Sequence, residues 1–173
     1  MRKFRYSFVL LTAASLLVAS SGVGTAKGTL IGGLNPTAAN PSHNLRHEIA
    51  QARQATARYH DISAALADGY VDIDVYVPMM GYHYLKPSLL DATFDPAKPE
   101  LLVYAADQQN NRLRLVAVEY AVPTNLSATP PEGFTGNEDV WHKNEEFGLW
   151  TLHAWVWFHN PNGMFAEFNP RLP

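Results

Sequence analysis

Asp68-Gly69-Tyr70-Val71-Asp72-Ile73-Asp74-Val75-Tyr76-Val77-Pro78 is the stretch at which the chain changes period. Upstream of it, Leu45, Ile49, Ala52, Thr56, Tyr59, Ile62 and Leu66 recur at steps of three and four, the stripe that one helix face turns toward a core. Arg46, Arg53, Gln54, His60 and Asp61 fall outside that stripe and are expected in solvent. Asn40-Pro41 or Asn44 suits the helix start, and Gly69 suits the left-handed residue that stops it. Inside the quoted stretch Val71, Ile73, Val75 and Val77 alternate with Asp72, Asp74 and Tyr76, the pattern of a half-buried strand that Pro78 ends. A long helix running directly into a strand is therefore predicted.

Further strands follow downstream. Leu101 to Ala105 and Leu113 to Val122 flank the polar turn Asp107-Gln108-Gln109-Asn110-Asn111, which predicts an antiparallel hairpin. Residues 123–148 contain Pro123, Pro130-Pro131, Gly133, Gly136 and Gly148 and read as a long loop, a length that often serves as a lid or binding loop. Leu149 to Phe158 reads as a strongly aromatic strand, expected near the middle of the sheet, before Asn160-Pro161-Asn162-Gly163 turns the chain into its last segment. A long helix followed by hairpin-linked strands, without regularly alternating helices, predicts one α+β domain over residues 42–173. Its N-terminal helix packs on an antiparallel β-sheet with a ferredoxin-like or barrel-like curl.

Ahead of this domain, Met1-Arg2-Lys3-Phe4-Arg5, an apolar run from about Phe8 to Ala19 and Gly24-Thr25-Ala26 have the three-part order of a secretory signal peptide over residues 1–26. The apolar run is shorter than the roughly 20 residues needed to cross a bilayer. Residues 27–41, rich in Gly, Thr, Asn, Pro and Ala, read as a flexible lead. The expected location is secreted or periplasmic. The absence of Cys rules out disulfides and a lipid-anchored lipoprotein, so packing alone must hold the domain. The chain carries a net charge of −3, and the leader takes Arg2, Lys3 and Arg5 with it, leaving the remainder more acidic still. That balance disfavours nucleic acid or an anionic membrane surface as a partner.

Three phrases each set one polar side chain among apolar ones: Met80-Gly81-Tyr82-His83-Tyr84, Val118-Glu119-Tyr120, and Leu152-His153-Ala154-Trp155-Val156-Trp157. Residues two apart on a strand share a face, so Glu119 lies with Leu113, Leu115 and Ala117, and His153 with Thr151, Trp155 and Trp157. A carboxylate on such a face needs a cation, a donor or a proton, because burying it unpaired costs several kcal/mol. Brought together, His83, Glu119 and His153 would form a two-histidine, one-carboxylate metal site with open positions, a donor set that suits Zn²⁺ in hydrolysis or Fe²⁺ in oxygen chemistry. Tyr82, Trp155 and Trp157 would wall the pocket for a small ligand or cofactor. The opposing reading is a polar core network, with Glu119 satisfied by neighbouring side chains and both histidines donating to backbone carbonyls.

Other polar residues carry weaker signals. His142, beside Trp141 in the long loop, is a possible third nitrogen ligand or lid contact, and His159 precedes a turn. His43 and His47 stand four apart near the helix start but lack the HExxH pattern and read as surface residues. Asn160, Glu167 and Asn169 belong to a tail that Met164, Phe165 and Phe168 can pin across the sheet; the functional alternative places them at a pocket mouth. No GxSxG or GxxxxGK phrase occurs, which argues against a serine hydrolase and excludes a P-loop.

Taken as a set, Ala55 to Tyr59, Met80 to Tyr84, Pro99 to Tyr104, Val118 to Tyr120 and Leu152 to Pro170 resemble an uncharacterised family of exported bacterial proteins with MGYHY, VEY and LHxWxWxxNPxGMFAxFNP motifs. The resemblance spans most of residues 55–172 and implies a common fold and an exported setting, with no reaction attached. Three functions stay open on the sequence: a metal-binding or small-molecule-binding domain, a metal-dependent enzyme of hydrolase or oxygenase type using His83, Glu119 and His153, and a structural or interaction module.

Overall fold

A computed structural model describes residues 41–107 and 112–173. The expected signal peptide, the lead up to residue 40 and most of the polar turn after Asp107 lie outside the described residues. No helix among the described residues is long and apolar enough to cross a membrane.

The predicted helix is present but broken. Helix α1 covers Pro41–Thr56, one 3-10 turn covers Ala57–His60, and α2 covers Ile62–Ala67. Asp61 causes the break: its backbone is extended, and its carboxylate accepts the Ser63 N–H at 3.0 Å, capping a new helix start. The helical stripe consequently rotates, so Leu66 is exposed while Ala65 is buried. Gly69, at φ +95, ends α2 in the left-handed conformation expected of it.

Six antiparallel strands follow: β1 Val71–Val77, β2 Gly81–Leu85, β3 Leu101–Ala106, β4 Leu113–Pro123, β5 His142–Asn144 and β6 Leu149–Ala154. They form one sheet in the order β1-β2-β3-β4-β6-β5. The sheet curls as a half-barrel against the helix, the barrel-like of the two closures expected from the sequence. The aromatic strand departs from its expected form in two respects. The aromatic strand stops at Ala154, four residues early, because the Trp155 N–H turns to the Met164 carbonyl at 2.8 Å instead of continuing the ladder with β4. It also stands next to the edge, flanked on its outer side by the short β5, which arises inside the stretch expected to be loop.

Both faces of the central strands are covered, which explains why β3 reads as a continuous apolar run. Ile49, Ala52 and Tyr59 of the helical segment pack with Tyr84, Leu102, Tyr104, Val118, Tyr120 and Leu152 on one face. On the other, Val103, Ala105 and Ala117 pack with Trp155 and with Leu172 of the C-terminal tail. The tail is tied down by Asn160 and Asn169: Asn160 Nδ2 donates to the Phe168 carbonyl at 3.0 Å and Asn169 Nδ2 to the His159 carbonyl at 3.3 Å. Those amides staple turns, which is the structural reading of the tail.

Candidate metal centre

Each of the three polar residues singled out in the strands sits on a different strand, and register brings them to one face. His83 on β2 pairs with Val103, Val103 pairs with Ala117, and Glu119, two residues on, pairs directly with His153 of β6. His83 and Glu119 reach toward each other over the β3 row. His83 Nε2 lies 3.6 Å from Glu119 Oε2, and His153 Nε2 lies 3.5 Å from Glu119 Oε1. One donor atom from each residue falls within 4.8 Å of the others, and all three residues are buried, at 4%, 6% and 2% exposure. The group could hold a metal ion.

The distortion in β1 prepares His83. Asp72 pairs with Tyr84 and Tyr76 with Tyr82, so three residues of β1 bulge opposite the single residue His83, with Asp74 at φ 57. This bulge carries the Val75 carbonyl to 3.3 Å from His83 Nδ1. A carbonyl only accepts, so Nδ1 carries the ring proton and Nε2 turns a lone pair toward Glu119 and His153, the arrangement typical of a metal-binding histidine.

His153 differs. Neither of its ring nitrogens has a hydrogen-bond partner among the described residues, although the residue is enclosed, at 2% exposure. The 3.5 Å separation from Glu119 exceeds the roughly 3.2 Å reach of a good N–H···O bond. Burial pushes the His153 imidazole down to about 4 and lowers that of His83, so both rings are neutral near pH 7. Burial also raises the Glu119 carboxyl, opposed by His83 and by a hydrogen bond from the Thr151 side chain. Thr151 was not singled out in the sequence; the signal available was its place two residues before His153 on the same face.

Of the three aromatic residues expected to wall a ligand pocket, Trp155 alone shares the face of this group. Tyr82 alternates to the opposite face and stacks on Tyr76 at 4.8 Å between ring centroids. Trp157 lies beyond the strand end, where its indole N–H donates to Thr56 Oγ1 at 3.0 Å and its ring meets His60 edge-on. Trp155 stays on the ligand-bearing face but is engaged in packing with Val103 and Leu172, its indole N–H donating to the Ala166 carbonyl at 2.6 Å. His142 lies on β5 opposite Thr151, with Nδ1 3.8 Å from Glu167 Oε2. His159, like His43 and His47, is exposed.

A second buried carboxyl, Glu100, was not anticipated. It precedes β3, is 4% exposed, and accepts the Ala121 N–H at 3.0 Å where the β3–β4 ladder ends. Burial raises its carboxyl to about 8 despite that bond. The folded state therefore retains a proton that the unfolded chain loses above about pH 4.5, and stability should fall as pH rises from there to about 8. The slope attributable to this one group approaches about 1.4 kcal/mol per pH unit. Urea midpoints measured across that range should decline in the wild type and flatten in Glu100→Gln; equal slopes in the two proteins would contradict the assignment.

Comparison with protein-family models, with curated proteins and with solved structures finds no match to this chain.

Proposed function

We propose that the protein is an exported metal-binding protein whose ion is held by His83, Glu119 and His153. The observation that carries this reading is the enclosed His153 imidazole, whose two nitrogens lack partners among the described residues beside a buried carboxyl and a second neutral imidazole. A polar core network would satisfy those nitrogens, since leaving a buried polar group unpaired costs about 1–3 kcal/mol. Metal coordination provides a reason for the cost. An ion about 2.1 Å from two ligands in tetrahedral geometry sets them about 3.4 Å apart, and each histidine lies near that distance from one carboxylate oxygen, His83 at 3.6 Å from Oε2 and His153 at 3.5 Å from Oε1.

The imidazole and carboxylate donors suit Zn²⁺ or Fe²⁺ and leave positions open for water or a small ligand. Burial of all three side chains favours retaining the ion over presenting it to a large substrate, so binding is preferred to hydrolase or oxygenase catalysis. The exported setting rests on the N-terminal sequence, with its basic start, apolar run and small-residue exit.

Protein purified without a polyhistidine tag, stripped with chelator and titrated with Zn²⁺ or anaerobic Fe²⁺, should take up one ion per chain. His83→Ala and His153→Ala should each lose that uptake. Unchanged metal content in both variants, measured by elemental analysis, would sink the reading.

A further inference from the structure

A buried metal site requires a route by which a hydrated cation reaches it. On the helix side, the sheet is closed by the cluster of Ile49, Ala52, Tyr84, Leu102 and Val118. On the ligand-bearing face, the side toward Leu172 is filled by Val103, Ala117, Trp155 and Leu172, an apolar wall without groups to replace water around an ion. The direction toward β5 is different. Thr151 on β6 faces His142, and because Thr151 and His153 share a face, His142 is the diagonal neighbour of His153 across the β5–β6 pair.

Glu167 completes that side. Its carboxylate lies 3.8 Å from His142 Nδ1, and the two side chains are 36% and 39% exposed, against 8% or less for the three buried ligands. The separation is too long for a hydrogen bond, so the pair is not locked shut. The backbone around Glu167 is nevertheless held: Ala166 accepts the Trp155 indole N–H at 2.6 Å, and the Asn169 N–H donates to the Met79 carbonyl at 2.8 Å. The Glu167 charge is felt at both Glu119 and His153. Neighbouring polar side chains thus link the partly exposed Glu167 and His142, by way of the buried Thr151, to Glu119.

Building on the metal reading of the buried site, we infer that the His142–Glu167 pair is the entry point for a divalent cation, with Glu167 capturing the hydrated ion before the buried ligands take it. Glu167 acts on the path and is not a ligand of the final site. A carboxylate at the mouth of an otherwise apolar enclosure raises the local concentration of cations and hence the association rate, an effect that salt weakens.

Stopped-flow binding of Co²⁺ to the metal-free, untagged protein tests this, read by cobalt absorbance and Trp quenching. Glu167→Gln, isosteric and half-exposed, should slow association about ten-fold. Dissociation should slow in parallel, so that affinity changes by less than about three-fold. Glu167→Asp should restore most of the rate, and added salt should slow the wild type more than Glu167→Gln. Normal Co²⁺ binding by the wild type with an unaltered rate in Glu167→Gln would overturn the entry role and leave the buried site standing. Loss of equilibrium affinity in Glu167→Gln would also overturn it, by making Glu167 a ligand. Failure of the wild type to bind Co²⁺ at all would remove the site and the entry point together.

Discussion

Gly81→Ala is expected to cost at least about 3 kcal/mol and to leave little folded protein. Gly81 opens β2 at φ +126, and a Cβ placed there would lie 2.2 Å from the Tyr104 carbonyl oxygen and 3.1 Å from its carbon. Both obstacles are backbone of the central strand β3, which cannot step aside as the end of a flexible side chain can. The damage would fall on the site as well, because Gly81 stands two residues before His83 on the same short strand. Gly69→Ala separates the causes: Gly69 also has positive φ, at +95, but an added Cβ there meets nothing within 4 Å. Urea unfolding should therefore show a moderate loss for Gly69→Ala and a far larger one for Gly81→Ala. Similar losses in the two variants would mean that β2 does not approach β3 this closely.

His153→Leu is expected to act in opposite directions on the metal-free and metal-loaded protein. Leucine fills a similar volume and removes two enclosed nitrogens that have no partner among the described residues. The metal-free variant should accordingly be more stable than the metal-free wild type, by about 1–3 kcal/mol. The wild type should gain about 2.7 kcal/mol when Zn²⁺ is present at a hundred times its dissociation constant, and the variant should gain almost nothing. Urea unfolding with and without Zn²⁺ reads both effects. A variant less stable than the wild type, with the Zn²⁺ response intact, would make His153 a structural residue. The expected pattern is that of a site maintained against the stability of its own core.

Much of the fold is legible in local pattern. The three-and-four stripe from Leu45 places the helix, the alternation from Val71 to Val77 places β1 with both ends correct, and the apolar runs after Pro99 and Arg112 place β3 and β4. The misjudged points have local causes that periodicity does not weigh. Asp61 caps a new helix in the middle of an otherwise continuous stripe. The chain after Ala154 exchanges its ladder for the Met164 carbonyl, so the Trp157 side chain ends beside Thr56 and not on the His153 face. The short β5 has too few residues to show any period, yet it sets His142 opposite Thr151.

By itself the sequence determined which residues could serve as ligands and that Glu119 and His153 lay on apolar strands, because residue type and alternation are properties of adjacent positions, whereas the short β2 that carries His83 was not among the predicted strands. It also determined the helix-then-sheet composition of the domain and the chemistry available without cysteine. Only the tertiary structure decided that His83, Glu119 and His153 meet, that the β1 bulge gives His83 its carbonyl partner, that His153 has none, and that Glu167 in the tail lies beside His142. Those outcomes depend on strand order, register and curl. They are set by pairings between segments remote along the chain, so no local pattern records them.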